Sequence, residues 1–333
     1  MMSRLSLNIS TPGIHAGFMS IVLILLFTNQ IMAEEIDWSQ VDKFTTTAFY
    51  PGVASWEFLR GEDHGKGAVP VRTLKKSCAD CHIDQSGNYD INTDGIISGE
   101  LKKSVSGAPL EPMPIPGTGG FRKVTVQAVH DMENLYLRIG WAGPENTPVS
   151  ATGSAQQGFA SVNLQLSRNV GSFRKYGCFI ACHDDQVNMP DDKGNNTRLY
   201  TYFTRADGKL KPQQVLDQYL ERGQFLDLWR VNIINDHVTT EDFHILADRS
   251  HDKNDLSATG EYKDGEYSVV MSRKLSTGDD RDIELRPGET FTIGIAIHDH
   301  LHRGRRHFTT FPLSVGISKS ADITAARTEP LYP

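Results

Sequence analysis

The chain has 333 residues, of which 23% are charged and 38% hydrophobic, and its formal net charge at pH 7 is −7. This composition is that of a folded globular protein rather than a disordered chain. Because acidic residues outnumber basic ones and no long basic run occurs, nucleic acid is excluded as an expected partner.

Residues 1–33 have the pattern of a secretory signal peptide. Arg4 supplies the positive start, residues 18–27 form an apolar core, and Ala33 precedes two acidic residues. The apolar core is shorter than the roughly 20 residues that a transmembrane helix requires. The sequence therefore predicts a protein exported to the periplasm and cleaved near Ala33, with no membrane span after cleavage.

Residues 34–118 are rich in Gly, Pro, Asp and Ser, which predicts a loop-rich N-terminal segment. Within it, Cys78, Cys81 and His82 form a Cys-x-x-Cys-His pattern. This pattern is typical of c-type haem attachment, in which two thiols bond to the haem vinyl groups and the adjacent imidazole becomes an axial iron ligand. A redox dithiol would give His82 no role, and a zinc site would need further ligands at matching spacing. Haem c is therefore the predicted cofactor of this segment.

Asp90, Asn92 and Asp94 resemble the start of a calcium-binding loop, because oxygen ligands at alternate positions are followed by Gly95. The acidic residue that ends such a loop is displaced by one position, to Glu100. The pattern thus predicts a Ca²⁺ site, with a solvated Asp/Asn turn as the alternative.

Residues 119–333 alternate between apolar and polar side chains with a period of two, which is typical of half-buried strands. Strands are predicted at 135–141, 162–166, 267–271, 291–297 and 311–317. A hairpin turn is predicted at Asp264 and Gly265, since an Asp-Gly pair tolerates positive φ. Helices are predicted over 212–223 and 178–186. This half of the chain is therefore mostly antiparallel β.

A second cluster, Cys178, Cys182 and His183, lies inside this β-rich region. It has one more residue between its cysteines than the first cluster, but both thiols can still reach one porphyrin while His183 ligates the iron. A disulfide between Cys178 and Cys182 is the alternative. Because the chain has only 4 Cys and all fall in these two clusters, we predict a second covalent haem c.

The other axial ligand of the first haem is open to any His or Met within reach. We predict His64, which lies in a glycine-flanked stretch close in sequence to Cys78. His130 and Met113 are the alternatives. An ordinary polar role is the alternative for each histidine.

For the second haem, the C-terminal histidines matter most. On the strand that starts near residue 291, small residues and histidines share one face, which a flat macrocycle can approach: Thr292, Gly294, Ala296, His298 and His300. His307 is the first prediction for the second axial ligand, followed by Met189 and His298. The alternative is that these histidines are solvated at the end of the strand.

The region from about residue 120 to residue 317 resembles the haem-binding domain of the ethylbenzene dehydrogenase gamma subunit and related dihaem c-type cytochromes. The resemblance rests on five short stretches at 126–131, 134–138, 226–230, 295–299 and 306–308. It implies a mainly β fold, an antiparallel β-sandwich haem-binding domain at 119–333 preceded by the loop-rich haem segment, with few short helices. It also implies a haem pocket bounded by the final strands and a role in passing single electrons.

The gamma subunit holds a non-covalent haem b through a Met and a Lys. In this chain His307 stands roughly at the place of the Lys, and Met189, shortly after His183, can take the place of the Met. The cysteines in the middle of the region then imply that its haem is covalent.

The combined prediction is a periplasmic dihaem cytochrome that carries single electrons from a quinol-linked or molybdenum-enzyme donor to a reductase or soluble acceptor. Six-coordinate irons favour electron transfer because no open position remains for a substrate. One alternative is a haem enzyme, such as a peroxidase or small-oxyanion reductase, with one five-coordinate iron. The other is a binding module with Trp56, Trp141 and Trp229 as its platform.

Overall fold

The computed structural model describes residues 36–52, 56–61, 64, 76–105, 108–109, 115, 118–143, 159–183, 199–234, 237–300 and 306–328. The predicted signal peptide, Met113 and Met189 lie outside these residues. None of the described helices is long and apolar enough to span a membrane.

Nineteen strands and a few short helices make up the described chain. The strands are β1 (Phe44–Phe49), β2 (Ser104–Val105), β3 (Ala108–Pro109), β4 (Phe121–His130), β5 (Asn134–Ala142), β6 (Ala160–Ser167), β7 (Ala181–His183), β8 (Leu199–Thr201), β9 (Arg205–Ala206), β10 (Lys209–Leu210), β11 (Leu226–Ile234), β12 (His237–Ile245), β13 (Arg249–His251), β14 (Ser257–Lys263), β15 (Glu266–Lys274), β16 (Thr290–His298), β17 (Phe308–Thr309), β18 (Leu313–Ile317) and β19 (Ile323–Arg327). The α-helices are α1 (Trp56–Arg60), α2 (Ala79–His82), α3 (Thr93–Ser98), α4 (Phe173–Tyr176) and α5 (Gln213–Glu221), and 3-10 turns cover Gly177–Ile180 and Tyr202–Thr204.

One 13-stranded sheet dominates the fold, which confirms the predicted mainly β class. Its strand order is β13-β12-β11-β6-β16-β17-β1-β4-β5-β15-β14, with β18 paired to β16 and β19, and β19 also paired to β4. Its pairings are antiparallel except the two that β19 makes, with β18 and with β4. Strand β14 lies at one end of this path, yet Gly260 in it packs against Ile233 of β11 and Val238 of β12. The sheet therefore folds back on itself at this point, while the predicted sandwich stays a prediction.

The alternating patterns of the sequence correspond to strands. In β5, the side chains of Leu135, Leu137, Ile139 and Trp141 are buried, while their neighbours are partly exposed. The hairpin between β14 and β15 turns at Asp264 and Gly265, whose φ angles are 53° and 86°. The predicted strands at 162–166, 267–271 and 291–297 lie within β6, β15 and β16.

Helix α5 confirms the predicted helix over 212–223. Pro212 precedes its first residue and Leu216 is buried. Gly223 follows its end with a φ of 62°, a conformation that glycine adopts without a Cβ penalty.

Two local predictions need correction. The helix predicted over 178–186 is wrong for the described residues, because the 3-10 turn ends at Ile180 and β7 follows, paired with β8. The strand predicted at 311–317 begins only at Leu313. Pro312 explains the later start, because proline has no N–H to donate to a strand ladder.

The N-terminal segment begins inside the sheet. Strand β1 pairs along its whole length with β4, and Phe49 pairs with Thr309 of β17. Downstream, Gly120 N donates to Asp94 Oδ1 at 2.7 Å, which joins the α3 region to the start of β4. The segment assigned to 34–118 therefore contributes one strand to the sheet of the following region.

Gly120 is required by close packing rather than by an unusual φ angle. A Cβ placed there would overlap the side chain of Thr93, whereas a Cβ at the neighbouring Gly119 would meet no atom within 4 Å. We expect Gly120→Ala to lower the free energy of unfolding by roughly 1–3 kcal/mol. The matched control Gly119→Ala should change it by less than about 0.5 kcal/mol. Equal midpoints for the two variants in chemical denaturation would contradict this packing argument.

Candidate haem-binding sites

The first motif, Cys78, Cys81 and His82, occupies one helical turn. Cys78 caps α2, and its carbonyl oxygen accepts from the N–H groups of Cys81 at 3.1 Å and His82 at 3.0 Å. Residues three apart lie on the same face of such a turn, so both thiols are presented on one side. Asp80 anchors the start of the turn by accepting from Ser77 N at 2.6 Å and from Ser77 Oγ at 2.9 Å.

His82 lies close to His64, the predicted second ligand. Their ring centroids are 5.9 Å apart and their planes differ by 20°. Nδ1 of His82 lies 3.0 Å from Asp90 O, and Nδ1 of His64 lies 3.0 Å from Leu59 O. A neutral imidazole that donates from Nδ1 to a carbonyl leaves Nε2 for a metal, which is the usual orientation of ligating histidines.

An iron bound between these rings is compatible with their spacing. Metal–imidazole bonds are about 2 Å long, so two such bonds and two half-rings span roughly 6 Å. The measured separation is 5.9 Å. Burial lowers the pKa of His64, which keeps this ring in the neutral form that binds metals.

An aromatic cluster, formed by Phe49, Tyr89, Phe179 and Phe311, connects the two Cys-Cys-His motifs. The His82 ring lies 6.5 Å from that of Phe311, which lies 4.9 Å from Phe49. Phe49 lies 6.2 Å from Phe179, a residue of the second motif. Tyr89 stacks on Phe311 at 5.5 Å. The described chain thus joins the two motifs through contacting rings.

The backbones of the two motif regions also touch. Cys78 N donates to the carbonyl oxygen of Lys175 at 3.2 Å, and Lys175 belongs to α4, directly before the second motif. Trp56 of α1 covers this junction by packing on Tyr176 at 5.2 Å and on Tyr202 at 4.0 Å. The two motifs are therefore neighbours in space although they are distant in sequence.

The second motif, Cys178, Cys182 and His183, is buried against β16. Cys178 and Cys182 are both buried, and His183 is partly exposed. A Cβ at Gly294 would lie only 2.6 Å from Cys178 Sγ, so the small residue there allows the motif to approach the strand. The face of small residues predicted on this strand is therefore the face that the second motif contacts.

His298 lies on this same face of β16, and the His307 ring lies beside the His298 ring. Their ring centroids are 5.1 Å apart. His298 is four residues beyond Gly294, which is roughly 14 Å along a strand. Arg230 Nε donates to Asn163 Oδ1 at 3.0 Å, which fixes the orientation of the Asn163 amide. The Nδ2 group of Asn163 therefore faces His298 Nε2, at 2.9 Å. His298 Nε2 accepts this bond, which favours His307 over His298 as an iron ligand.

Comparison with known proteins bears on this arrangement. Residues 232–309 match the family model described as ethylbenzene dehydrogenase. The chain is 33% identical over 302 residues to cytochrome c-552 of Stutzerimonas stutzeri, a match that covers 89% of this chain and 92% of that protein. The chain belongs to the cytochrome c-552 family. It is also 25% identical over 300 residues to cytochrome c-551 of Rhodocyclus tenuis, which covers 87% of this chain and 99% of that protein.

Membership of the cytochrome c-552 family confirms the family resemblance seen in the sequence and makes the chain a c-type cytochrome, a class that binds haem c covalently.

A similar solved structure is a family 9 carbohydrate-binding module from Caldicellulosiruptor kristjanssonii in complex with glucose. The two share 12% identity with a TM-score of 0.28, over 57% of this chain and 66% of that chain. A score this low carries no argument about the cytochrome.

The thiols of this cytochrome do not resemble those of a redox dithiol. Burial raises the pKa of Cys78 to about 12 and that of Cys178 to about 11, whereas reactive dithiols have a lowered pKa. No disulfide bond joins Cys178 to Cys182 in the structure, and haem attachment there stays a prediction.

The remaining predicted ligands of the cytochrome have other partners or lie outside the described chain. His130 is buried, with Nδ1 2.7 Å from Asp131 O and Nε2 2.7 Å from Ser318 Oγ, so neither ring nitrogen faces a metal. Met113 and Met189 lie outside the described residues.

The predicted calcium loop has a structural role at its start. Helix α3 begins at Thr93, and Asn92 caps it by accepting from Gly95 N at 2.9 Å. Asp94 accepts from Gly120 N. These hydrogen bonds account for the positions of the Asn92 and Asp94 side chains without a bound ion. A Ca²⁺ site at Asp90, Asn92 and Asp94 stays a prediction.

Sequence reasoning missed Asn163 and the aromatic cluster. Asn163 reaches His298 because β6 pairs with β16, with Asn163 opposite Ala296. The aromatic residues come from strands, loops and the second motif, and no local pattern joins them.

His64 and His130 form a test pair for axial ligation in this cytochrome. We expect His64→Ala to convert the haem of the first motif from low-spin to high-spin and to open it to carbon monoxide, because it removes an axial imidazole. His130→Ala should leave the spin state unchanged, although it breaks two buried hydrogen bonds. Electron paramagnetic resonance of the ferric protein measures both variants, and an unchanged spectrum for His64→Ala would exclude His64 as a ligand.

Proposed function

We propose that this cytochrome is a periplasmic dihaem electron carrier, with one haem on Cys78, Cys81 and His82 and another on Cys178, Cys182 and His183. The observation that carries the proposal is the pairing of His82 with His64, each oriented by a carbonyl through Nδ1 and separated by 5.9 Å. Two protein ligands on one iron leave no position for a substrate, which is the arrangement of electron carriers.

The covalent attachment and the axial histidines each have a separate task. The thiols of each motif fix the group to the chain, and the carbonyl oxygens of Asp90 and Leu59 hold the imidazoles in the ligating tautomer. Haem, when bound, supplies a reversible one-electron couple. The aromatic cluster beside His82, together with the ligand pair, would tune the potential of that couple.

The contact between the two motifs supports a carrier whose two redox centres act as a unit. The aromatic cluster touches His82 on one side and contains Phe179 of the second motif on the other. The hydrogen bond from Cys78 N to Lys175 O fixes the two motif backbones against each other. A carrier that accepts one electron at each centre can thus deliver them in succession.

The partners we propose are redox proteins: a quinol-linked or molybdenum-enzyme donor, and a reductase or soluble acceptor. The formal net charge of −7 favours docking to basic surfaces. The periplasm is the proposed compartment, because residues 1–33 have the pattern of a secretory signal peptide.

A haem enzyme is the second candidate function, and His298 is the observation that favours it. This buried imidazole lies on the face that holds the second motif, and Asn163 binds its Nε2 at 2.9 Å. Held this way, His298 would serve as a proton donor beside an open iron position rather than as a ligand. A resting low-spin spectrum from both haems, with no turnover of peroxide, would eliminate this candidate.

Haem counting tests the dihaem proposal directly. We expect two covalent haems per chain in the protein matured with a cytochrome c assembly system. Cys78→Ser with Cys81→Ser, and Cys178→Ser with Cys182→Ser, should each remove one haem, since each pair supplies both thioether bonds. The measurements are a pyridine haemochrome assay and the mass of the intact protein.

Each pair of substitutions is the control for the other. Retention of two haems after either double substitution would contradict the assignment of that motif. A single haem in the unsubstituted protein would overturn the dihaem carrier, whichever motif held it.

A further inference from the structure

Three buried aspartates converge in the interior, and none of them belongs to either motif. Asp227, Asp242 and Asp282 are all buried, and each offers a carboxylate oxygen to a group whose atoms lie within 4.8 Å of one another. Asp227 and Asp242 stand on the same face of paired strands β11 and β12, because Trp229 pairs with Asp242. Asp282 reaches them from the loop after β15.

Hydrogen bonding satisfies only part of this acidic cluster. Arg273 Nη1 donates to Asp227 Oδ2 at 2.6 Å and lies 3.2 Å from Asp282 Oδ1, and Ile283 N donates to Asp227 Oδ2 at 3.1 Å. Among the described residues, both oxygens of Asp242 and Oδ1 of Asp227 have no hydrogen-bond partner, although their side chains are almost completely buried. Buried acceptors of this kind are rare unless a water or an ion fills the gap.

From this geometry we propose that Asp227, Asp242 and Asp282 bind a divalent cation, and that the cation is Ca²⁺. Three carboxylates against the single guanidinium of Arg273 leave two negative charges, which a divalent ion balances. An all-oxygen ligand set selects hard cations. Oxygens bound to one Ca²⁺ at 2.3–2.6 Å lie up to roughly 5 Å apart, a span that matches the cluster.

The surroundings of the cluster add negative charge. Asp252 lies beside it, since Asp252 N donates to Asp242 O at 3.1 Å. Asp252 Oδ1 is 2.6 Å from His244 Nδ1, and its Oδ2 has no hydrogen-bond partner in the described part of the chain. Arg273 cannot approach from another direction, because its guanidinium stacks over Trp229 at 4.7 Å and its Nη2 donates to Ile283 O at 2.9 Å. The oxygens of Asp242 therefore depend on something other than Arg273.

An entry route leads to Asp282. A surface cavity of about 620 Å³ includes Asp282 in its wall. The other charged residues of the wall are mostly acidic: Asp217, Glu221, Asp279, Asp280 and Glu284, with Arg168 and Arg222. A mouth lined mainly by carboxylates raises the local concentration of cations.

The bound ion would join β11 and β12 to the loop after β15. A ligand that binds only the folded state stabilises it, so Ca²⁺ should raise the thermal midpoint of the chelator-treated holoprotein by about 5 °C at a hundredfold excess over its dissociation constant. The ion would thereby stabilise the fold without contacting either motif, and haem spectra should stay unchanged.

The test is calorimetric titration of Ca²⁺ together with the thermal midpoint, on the holoprotein and three variants. We expect Asp242→Asn to abolish both the binding heat and the midpoint shift. Asp282→Asn is a second variant nearer the surface, in case Asp242→Asn does not fold, and it should weaken both. Asp90→Asn is the matched control from the other predicted calcium position and should retain both effects.

Two outcomes would overturn the proposal. Loss of the Ca²⁺ effect in Asp90→Asn but not in Asp242→Asn would place the ion at residues 90–94 instead. No effect of millimolar Ca²⁺ on the unsubstituted protein would exclude Ca²⁺ from the cluster and leave protonation as the source of its charge balance, since burial raises the pKa of Asp242 to about 8.

Discussion

Strand β16 is the constraint on which both the core and the second motif depend. It is buried on both faces and paired on both edges, with β6 on one side and with β17 and β18 on the other. Its three isoleucines belong to the hydrophobic core, while Gly294 and His298 face Cys178 and Asn163. A slip of one residue would exchange these two faces, so the register of the core also positions the motif.

The elements that could be predicted from the sequence are those specified by residues within the element itself. Alternation marked β5, β6, β15 and β16, and turn chemistry marked the hairpin at Asp264 and Gly265. Proline and glycine at its two ends marked α5. The motifs were equally local, since each is set by the spacing of cysteine and histidine.

The parts that sequence could not predict depend on distant partners. Strand β7 forms because β8 supplies its ladder, and its residues alone favoured a helix. The orientation of Asn163 follows from Arg230 on the next strand, and the aromatic cluster collects rings from four separate places in the chain. The acidic cluster was hidden for the same reason, because Asp227 and Asp282 are far apart in sequence.

The burial of the second motif also determines when it can react. Cys178 and Cys182 are both buried, Cys178 against Gly294 of β16, whereas Cys81 is exposed on the surface. An assembly enzyme can reach thiols only while they are accessible, so the proposed attachment at the second motif would have to take place before the sheet closes. At the first motif, the exposed thiol of Cys81 would stay accessible after folding. Haem attachment at the second motif would therefore have to precede folding, whereas the attachment of Cys81 could precede or follow it.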